Sequence, residues 1–527
     1  MIKLLMTYSS TEGLDKLLNH PQFKVEVNSK PTPEKFAEII PAYEGLLIRS
    51  EVKVTKEIMD AAKNLKLIVR AGTGVDNIDK AYATQKGIVV MNVPGGNTVS
   101  ACEQALTLLL ATARNTPQAH ASVKAGKWEK EKFMGTELQG KTLGLIGMGR
   151  IGKEVAVRMK AFEMKVIAYD PFLTQEYAKS IGVELATLEE IYANADFISL
   201  HTPLNEQTKY LINKDSLAKM KPGMRIINCA RGGIVDEKAL YDALKSGQIK
   251  AAALDVFEKE PLAKDSPLLE LENVILTPHL GASTEEAQVK IATESSNMII
   301  DFFTKGIIRN AVNMPSVDME TYKKINPYLE LAEKIGSLQG QMIEGAIKEI
   351  EIIYEGEAAN FNVATITPAY LKGLLSPILD IKVNFVNASF IAKERGIKVK
   401  EIKTSETEDY SSLITAKVIS EKSQLVISGT VFSRQFPRIV NMKGLDVDII
   451  PQGCMIILDN MDRPGMVGKI GMLLGSNGVN IASMQVGRDK IGGKALTIIN
   501  TDVCASEEIL KKIAEIDGIA NVKMVEL

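Results

Sequence analysis

Short apolar runs alternate with stretches of helical period along the first part of the chain, the pattern of parallel strands joined by crossover helices. Strands are predicted at Lys3–Tyr8, Lys24–Asn28, Gly45–Arg49, Leu65–Arg70 and Ile88–Asn92, with helical stretches such as Thr55–Leu65 between them. The turn-rich loop Asn92–Thr98 leads into Val99–Ala113, a mostly apolar helix that crosses to a second domain. From Leu143 the rhythm restarts, with strands at Leu143–Gly147, Lys165–Tyr169, Asp196–Leu200, Met224–Asn228, Lys250–Val256 and Asn273–Thr277. The helix Thr284–Phe303 reads as a return crossover, and residues around Ile307–Met314 are expected to complete the first unit. Beyond about 318 the alternation stops. Helices at Tyr322–Gly345 and Pro368–Leu379 mix there with strands at Ile347–Tyr354 and Leu413–Ile419. From Cys454 to Leu527 the pieces fall in the order of a βαββαβ unit: Met455–Asp459, Met466–Asn477, Ile481–Arg488, Ala495–Val503, Glu507–Ala514 and Val522–Val525.

A chain of 527 residues is too long for one core. The expected division is a substrate domain from 1–97 and 283–316, a nucleotide domain from 98–282, a third unit from 317–452 and a fourth from 453–527. The net charge of −2 gives no bulk attraction to nucleic acid or to an anionic membrane. No apolar stretch has the length of a signal peptide or a membrane span, so a cytoplasmic protein is expected. The four cysteines lie far apart with no C-x-x-C pairing, and reduced thiols are the simplest reading. No metal site is expected.

The most informative stretch is Gly147-Met-Gly149-Arg150-Ile151-Gly152. It lies between an apolar strand and a helical pattern, where a pyrophosphate meets the free N–H groups of a helix N-terminus. The next strand ends at Asp170, about 18 residues on, the spacing of a carboxylate that binds the ribose hydroxyls of NAD.

Ligands of parallel sheets sit beyond the carboxyl ends of the strands. In the first unit those ends offer Arg49-Ser50 and Arg70-Ala-Gly72-Thr73-Gly74, which makes the two arginines candidates for an anionic substrate. In the second unit they offer His201-Thr202, Cys229-Ala230-Arg231, Asp255, and His279-Leu-Gly281-Ala282. Hydride transfer from an alcohol needs a base for the hydroxyl proton, and an imidazole suits it. A carboxylate partner fixes its tautomer, and an arginine clamps a carboxylate in two-point fashion. Arg231, Glu260 and His279 supply one of each, while His20 and His120 read as surface residues.

The glycine motif, Asp170, Cys229-Ala-Arg-Gly-Gly233, Asp255-Val-Phe-Glu-Lys-Glu-Pro261 and His279-Leu-Gly-Ala-Ser-Thr284 together resemble the D-isomer-specific 2-hydroxyacid dehydrogenases, over residues 1 to about 315. The likeness is greatest to the long type that acts on 3-phosphoglycerate at the entry to L-serine synthesis. That type carries an intervening domain and a C-terminal ACT domain. The resemblance implies an α/β fold: a doubly wound Rossmann-type nucleotide domain, a flavodoxin-like substrate domain, an α+β intervening domain and a βαββαβ ACT domain. It implies catalysis by Arg231, Glu260 and His279, and NAD contacts from Thr73, the 147–152 loop, Asp170, Thr202, Cys229, Ala230, Asp255, Gly281 and Ala282. Arg49, Ser50, Arg70, Gly72, Thr73, Gly74 and Asn97 would line the substrate, with Lys130 as a further cation from a neighbouring subunit. His201 becomes a neighbour of the cofactor loop. An unphosphorylated hydroxy acid as substrate, or a non-catalytic NAD-sensing corepressor, are the competing readings.

In the last unit Asp459-Asn460-Met-Asp462-Arg-Pro-Gly465 and Gly478-Val-Asn480 match the effector-binding pattern of ACT domains, with Asn460 where relatives often carry histidine or tyrosine. The implied effector is an amino acid, L-serine, held between two such domains that pair edge to edge, with Asn480 facing Asn460 and Asp462. A homo-oligomer is expected, a tetramer built on a dimer through Val99–Ala113.

Overall fold

The computed structural model describes residues 1–315, 317, 319–407 and 409–527. Its first sheet consists of β1 (Ile2–Met6), β2 (Phe23–Val27), β3 (Gly45–Ile48), β4 (Leu67–Arg70) and β5 (Val89–Asn92). The order is β2-β1-β3-β4-β5, all parallel. Gly45–Ile48 and Val89–Asn92 are buried throughout, which is why they read as continuous apolar runs and not as alternating ones. The chain returns here after the long helix Glu285–Lys305: Ala311 bridges Met91, and the Asn313 amide bonds both the N–H of Val90 and the carbonyl of Ile88.

The second sheet contains β6 (Thr142–Ile146), β7 (Lys165–Tyr169), β8 (Glu184–Leu185), β9 (Phe197–Leu200), β10 (Met224–Asn228), β11 (Ile249–Leu254) and β12 (Val274–Leu276). Its order, β12-β11-β10-β9-β6-β7-β8, reverses between β6 and β9. A doubly wound sheet binds its ligand at that switch point. The seventh strand is two residues at the edge, too short to leave a hydrophobic period in the sequence. The helix Thr98–Arg114 leaves the first unit and packs on the second sheet.

The third sheet is mixed: β13 (Ile347–Gly356), β14 (Lys398–Thr404), β15 (Ser412–Ser420), β16 (Gln424–Phe432), β17 (Phe436–Met442) and β18 (Leu445–Ile449), in the order β14-β13-β15-β16-β17-β18. The helices Met319–Met342 and Val363–Leu375 pack on it. The second begins five residues before the expected start at Pro368, capped by Asn362, and carries the proline inside. The fourth sheet, β20-β21-β19-β22, is antiparallel, from β19 (Cys454–Met461), β20 (Ile481–Arg488), β21 (Lys494–Thr501) and β22 (Ile519–Glu526).

Alternation along these last strands gives the fourth sheet two buried faces. Ile456, Leu458 and Ile499 pack under the helices Met466–Ser476 and Glu507–Ala514. Met455, Ile457, Leu496, Ile498 and Val525 point the other way, into one continuous core with Leu331, Ile335 and Leu338 and with the third sheet. Both sheet edges are also engaged. At Gly487 of β20 an added Cβ would meet the Asp446 carbonyl of β18 at 2.6 Å, and the Gln341 amide bonds the carbonyl and N–H of Glu526 on β22. Each edge is thus touched within the chain at one point, Gly487 on one side and Glu526 on the other.

The fold also brings Cys454 and Cys504 together as a disulfide, Cα to Cα 5.1 Å, although 50 residues separate them in sequence. Spacing alone gave no reason to pair them. The antiparallel register does, because it sets Cys454 opposite Thr501. Cys102 and Cys229 remain free. Among the described residues no helix is long and apolar enough to cross a membrane.

Candidate active site

The glycine loop follows β6 and enters the helix Arg150–Ala161 with Gly149 as its N-cap. Gly147 turns at φ 98°, and a Cβ there would sit 2.7 Å from the His201 carbonyl. At Gly152 a Cβ would press on the Gly147 carbonyl, whereas at Gly149 it would point into open space. Two glycines thus serve packing, and the third leaves a bare helix entry. Asp170 is held by two backbone N–H groups, Met148 at 2.8 Å and Phe172 at 2.9 Å, so its carboxylate is fixed beside that entry. Thr202, at the end of the adjoining β9, has a buried hydroxyl with no partner. An open cradle, a fixed carboxylate and an orphaned donor fit a dinucleotide.

Arg150 and Ile151 open the helix, and Arg150 reaches the Pro94 carbonyl at 2.9 Å. His201 is half-buried beneath the loop against Ser199, and desolvation pushes its imidazole down to about 4, which leaves it a neutral packing residue. Cys229 is likewise inert: burial first, then the Asp255 charge, pushes its thiol well above the usual range. Ala230 is half-buried and its N–H is held by Asn228.

Asp255 is fully buried and its oxygens are taken. They accept from the N–H of Leu280 (2.8 Å), the N–H of Gly281 (2.9 Å) and the Thr277 hydroxyl (2.6 Å). These bonds shape the 277–281 turn. Ser100 adds a bond to the Gly281 carbonyl, and Gln288 one to that of Ala282. The turn holds His279 at φ 58°, a left-handed conformation unusual for a side-chain-bearing residue. There Nδ1 of His279 lies 2.8 Å from Glu260 Oε2. Burial works to raise the Glu260 carboxyl, but the bond and charge of His279, the Phe257 N–H and the Arg231 charge together hold it below the usual carboxylate range.

Arg231 stands between this pair and the first sheet. Its Nε donates to Asp76 at 2.9 Å and its Nη1 to the Ala230 carbonyl at 2.6 Å. A side chain at Gly74 would collide with its Nη2. Arg70 lies largely buried with its Nε unpartnered, and burial, then the charge of Arg231, lowers it to about 10, with Arg49 adding to the repulsion. Arg49 stacks on the ring of Tyr8, 4.2 Å to the centroid. Thr73 donates to Asn97 at 2.7 Å, closing the loop on the interdomain helix, and Gly72 and the exposed Ser50 complete that rim.

Most of the expected residues therefore converge. Two sets do not. Lys130 sits on an exposed turn, Lys130–Phe133, and its expected place is at a neighbouring subunit's site, which a single chain does not bring together. Asn480 lies near the Cys454 end of the fourth sheet, bonded to Asp502, while Asn460 and Asp462 lie at the other end of β21, roughly 20 Å away at the usual strand rise. Within one chain they do not face each other, because β20 starts where β21 finishes. Asp462 caps no helix. Its carboxylate accepts from Arg488 at 2.9 Å and from the Gly492 N–H at 3.1 Å, and Asn460 is buried against Thr497. Tyr8, Asp76, Gln104 and Thr277 were not singled out from the sequence, although Tyr8 and Asp76 also lie in loops that follow strands of the first sheet.

Family models match in three blocks: the D-isomer specific 2-hydroxyacid dehydrogenase NAD binding domain at residues 106–281, the D-3-phosphoglycerate dehydrogenase intervening domain at 324–443, and the ACT domain at 455–518. The D-3-phosphoglycerate dehydrogenase of Methanocaldococcus jannaschii is 46% identical over 100% of both chains. The chain belongs to the D-3-phosphoglycerate dehydrogenase family. A second member, from Archaeoglobus fulgidus, is 45% identical over 100% of both chains. The solved D-lactate dehydrogenase of Aquifex aeolicus, complexed with NAD and lactic acid, matches 60% of this chain and 100% of its own, with a TM-score of 0.53 and 30% identity. A phosphoglycerate dehydrogenase of this family thus shares its first two sheets with relatives that lack the third and fourth.

Proposed function

We propose that the chain oxidises 3-phospho-D-glycerate to 3-phosphohydroxypyruvate with NAD, at the entry to L-serine synthesis. The observation that carries the substrate is Arg70, a largely buried guanidinium with an unpartnered Nε, its pKa lowered by burial and by the charges of Arg231 and Arg49 against the opposing charges of Asp76 and Glu51. Such a cluster calls for an anion of more than one charge. Bound NAD supplies the acceptor for the hydride leaving C2. His279 takes the hydroxyl proton at Nε2, since Nδ1 is committed to Glu260, whose charge steadies the imidazolium that forms. Arg231 holds the carboxylate, and Arg70 and Arg49 hold the phosphate. The test compares phosphohydroxypyruvate with hydroxypyruvate as NADH-oxidising substrates. A large preference for the phosphorylated acid that Arg70→Ala abolishes is expected, and equal kcat/KM values for both acids overturn the reading.

For the domains, we adopt 1–97 with 283–316, 98–282, 317–452 and 453–527. An amino-acid effector, L-serine, would sit at Asp462 in exchange for Arg488, with Asn480 supplied by a second chain. The exposed Val123, Trp128 and Met134 beside the interdomain helix support a dimer there, within a tetramer that also carries Lys130 to a neighbour's site. Sedimentation of the purified protein with and without L-serine tests both. A cytosolic setting suits a phosphorylated substrate that does not cross membranes unaided.

A further inference from the structure

The loop that carries Glu260 is gripped from behind. Glu237 is the first residue of the helix Glu237–Ser246, whose N-cap is Asp236. Its N–H has no partner inside the helix, and Glu258 Oε1 accepts it at 3.0 Å. In return the Glu258 N–H donates to Glu237 Oε1. The Tyr210 hydroxyl donates to the remaining Glu258 oxygen at 3.1 Å. Two carboxylates therefore exchange backbone N–H bonds; burial pushes Glu237 up, the Glu258 N–H bond opposes that, and the charges of Glu258 and Glu260 add to the rise. The positive end of the helix offsets part of that repulsion.

Glu258 precedes Glu260 by two residues, and the adjacent Phe257 N–H is bonded to Glu260 Oε1 at 3.1 Å. Gly232, next to Arg231, lies so close that a Cβ would overlap the Phe257 carbonyl. The grip thus bears on a backbone segment touched by both Glu260 and the Arg231 loop. A cavity of about 640 Å³ lined by Tyr210, Glu237, Tyr241 and Glu258 lies beside the grip, while the Phe257 ring anchors the segment in the core.

We propose that Glu237 and Glu258 are positioning residues for the acid–base pair, holding the 257–260 segment so that Glu260 meets Nδ1 of His279. The inference rests on the assignment of Glu260 and His279 made above. Glu237→Ala removes the acceptor for the Glu258 N–H, and Glu237→Gln keeps an oxygen in the same place. In the full-length enzyme Glu237→Ala should lower kcat about tenfold, since misplacement of a catalytic group by a fraction of an ångström suffices for that. KM should stay within about twofold and the acidic limb of the oxidation profile should shift, while Glu237→Gln restores most of the rate. Glu258→Ala should act alike by freeing the other half of the grip. In a Glu260→Gln background, Glu237→Ala should add little, because both act through one pair. Full additivity there, or unchanged kcat and pH profile in both alanine variants, overturns the proposal. An unchanged profile in Glu260→Gln alone would instead remove the assignment beneath it.

Discussion

Arg231 donates from Nε to Asp76 across the cleft, 2.9 Å, so the arginine assigned to the substrate carboxylate is aimed by the domain opposite its own. The planar fork can hold Asp76 with one edge and present another to substrate, which an ammonium cannot do. Arg231→Lys is expected to lower kcat/KM for phosphohydroxypyruvate by about tenfold or more, with NADH binding intact. Steady-state kinetics and a cofactor titration check this, and a change smaller than twofold in kcat/KM would count against it.

The Glu260–His279 contact sets a pH dependence. Glu260 is held below the usual carboxylate range, so its charge is present at neutral pH and lost only as pH falls through that lowered value. The folding stability it contributes follows the same course, full above the ordinary carboxylate range and fading in acid. During oxidation the charge favours imidazolium, which keeps the base protonated to higher pH. Glu260→Gln should therefore move the acidic limb of the oxidation profile to lower pH, and His279→Gln should cost about 100- to 10,000-fold in kcat. A profile that does not move would remove Glu260 from this role.

Asp170 sits fixed by the N–H groups of Met148 and Phe172, where the adenosine ribose would arrive. A 2′-phosphate there meets a carboxylate that cannot swing away. NAD should be strongly preferred over NADP, and Asp170→Ala should narrow the ratio of their kcat/KM values chiefly by weakening NAD. Equal use of both cofactors by the unaltered enzyme would refute the assignment.

The parallel strands were legible because burial on both faces leaves unbroken apolar runs, and because polar residues cluster where those runs stop. Arg49, Arg70, Arg231 and His279 are singled out in that way, and the structure places them at the ends of those strands or in the loops that follow. What stayed hidden depends on register and not on period. Nothing in the order of residues tells that β20 starts at the Cys454 end of its sheet, so neither the separation of Asn480 from Asp462 within one chain nor the Cys454–Cys504 pair is legible there. Pro368 misled for a different reason: proline favours a helix start, yet here the Asn362 cap and surrounding packing carry the helix through it. The bonds of Asp255 to the backbone of the 280–281 turn are likewise illegible in the sequence, because they depend on which way a strand-end carboxylate points.

Leu496 faces the core common to the third and fourth sheets. Leu496→Ala should destabilise by about 2–5 kcal/mol, the usual cost of emptying a fully buried leucine. Hydrogen exchange should then rise in the helix Val363–Leu375 as well as in the ACT strands. Exchange that rises only within residues 454–527 would show that the two units open separately.

The same common core bears on how such a regulator can be inherited or engineered. A free-standing sensor can be lifted from one enzyme and grafted to another at its linker. Here the seam would have to pass between Leu331, Ile335 and Leu338 on one side and Met455, Ile457 and Ile498 on the other, leaving greasy scars on both pieces. Residues from about 319 onward are therefore best treated as a single cassette, exchanged whole or not at all.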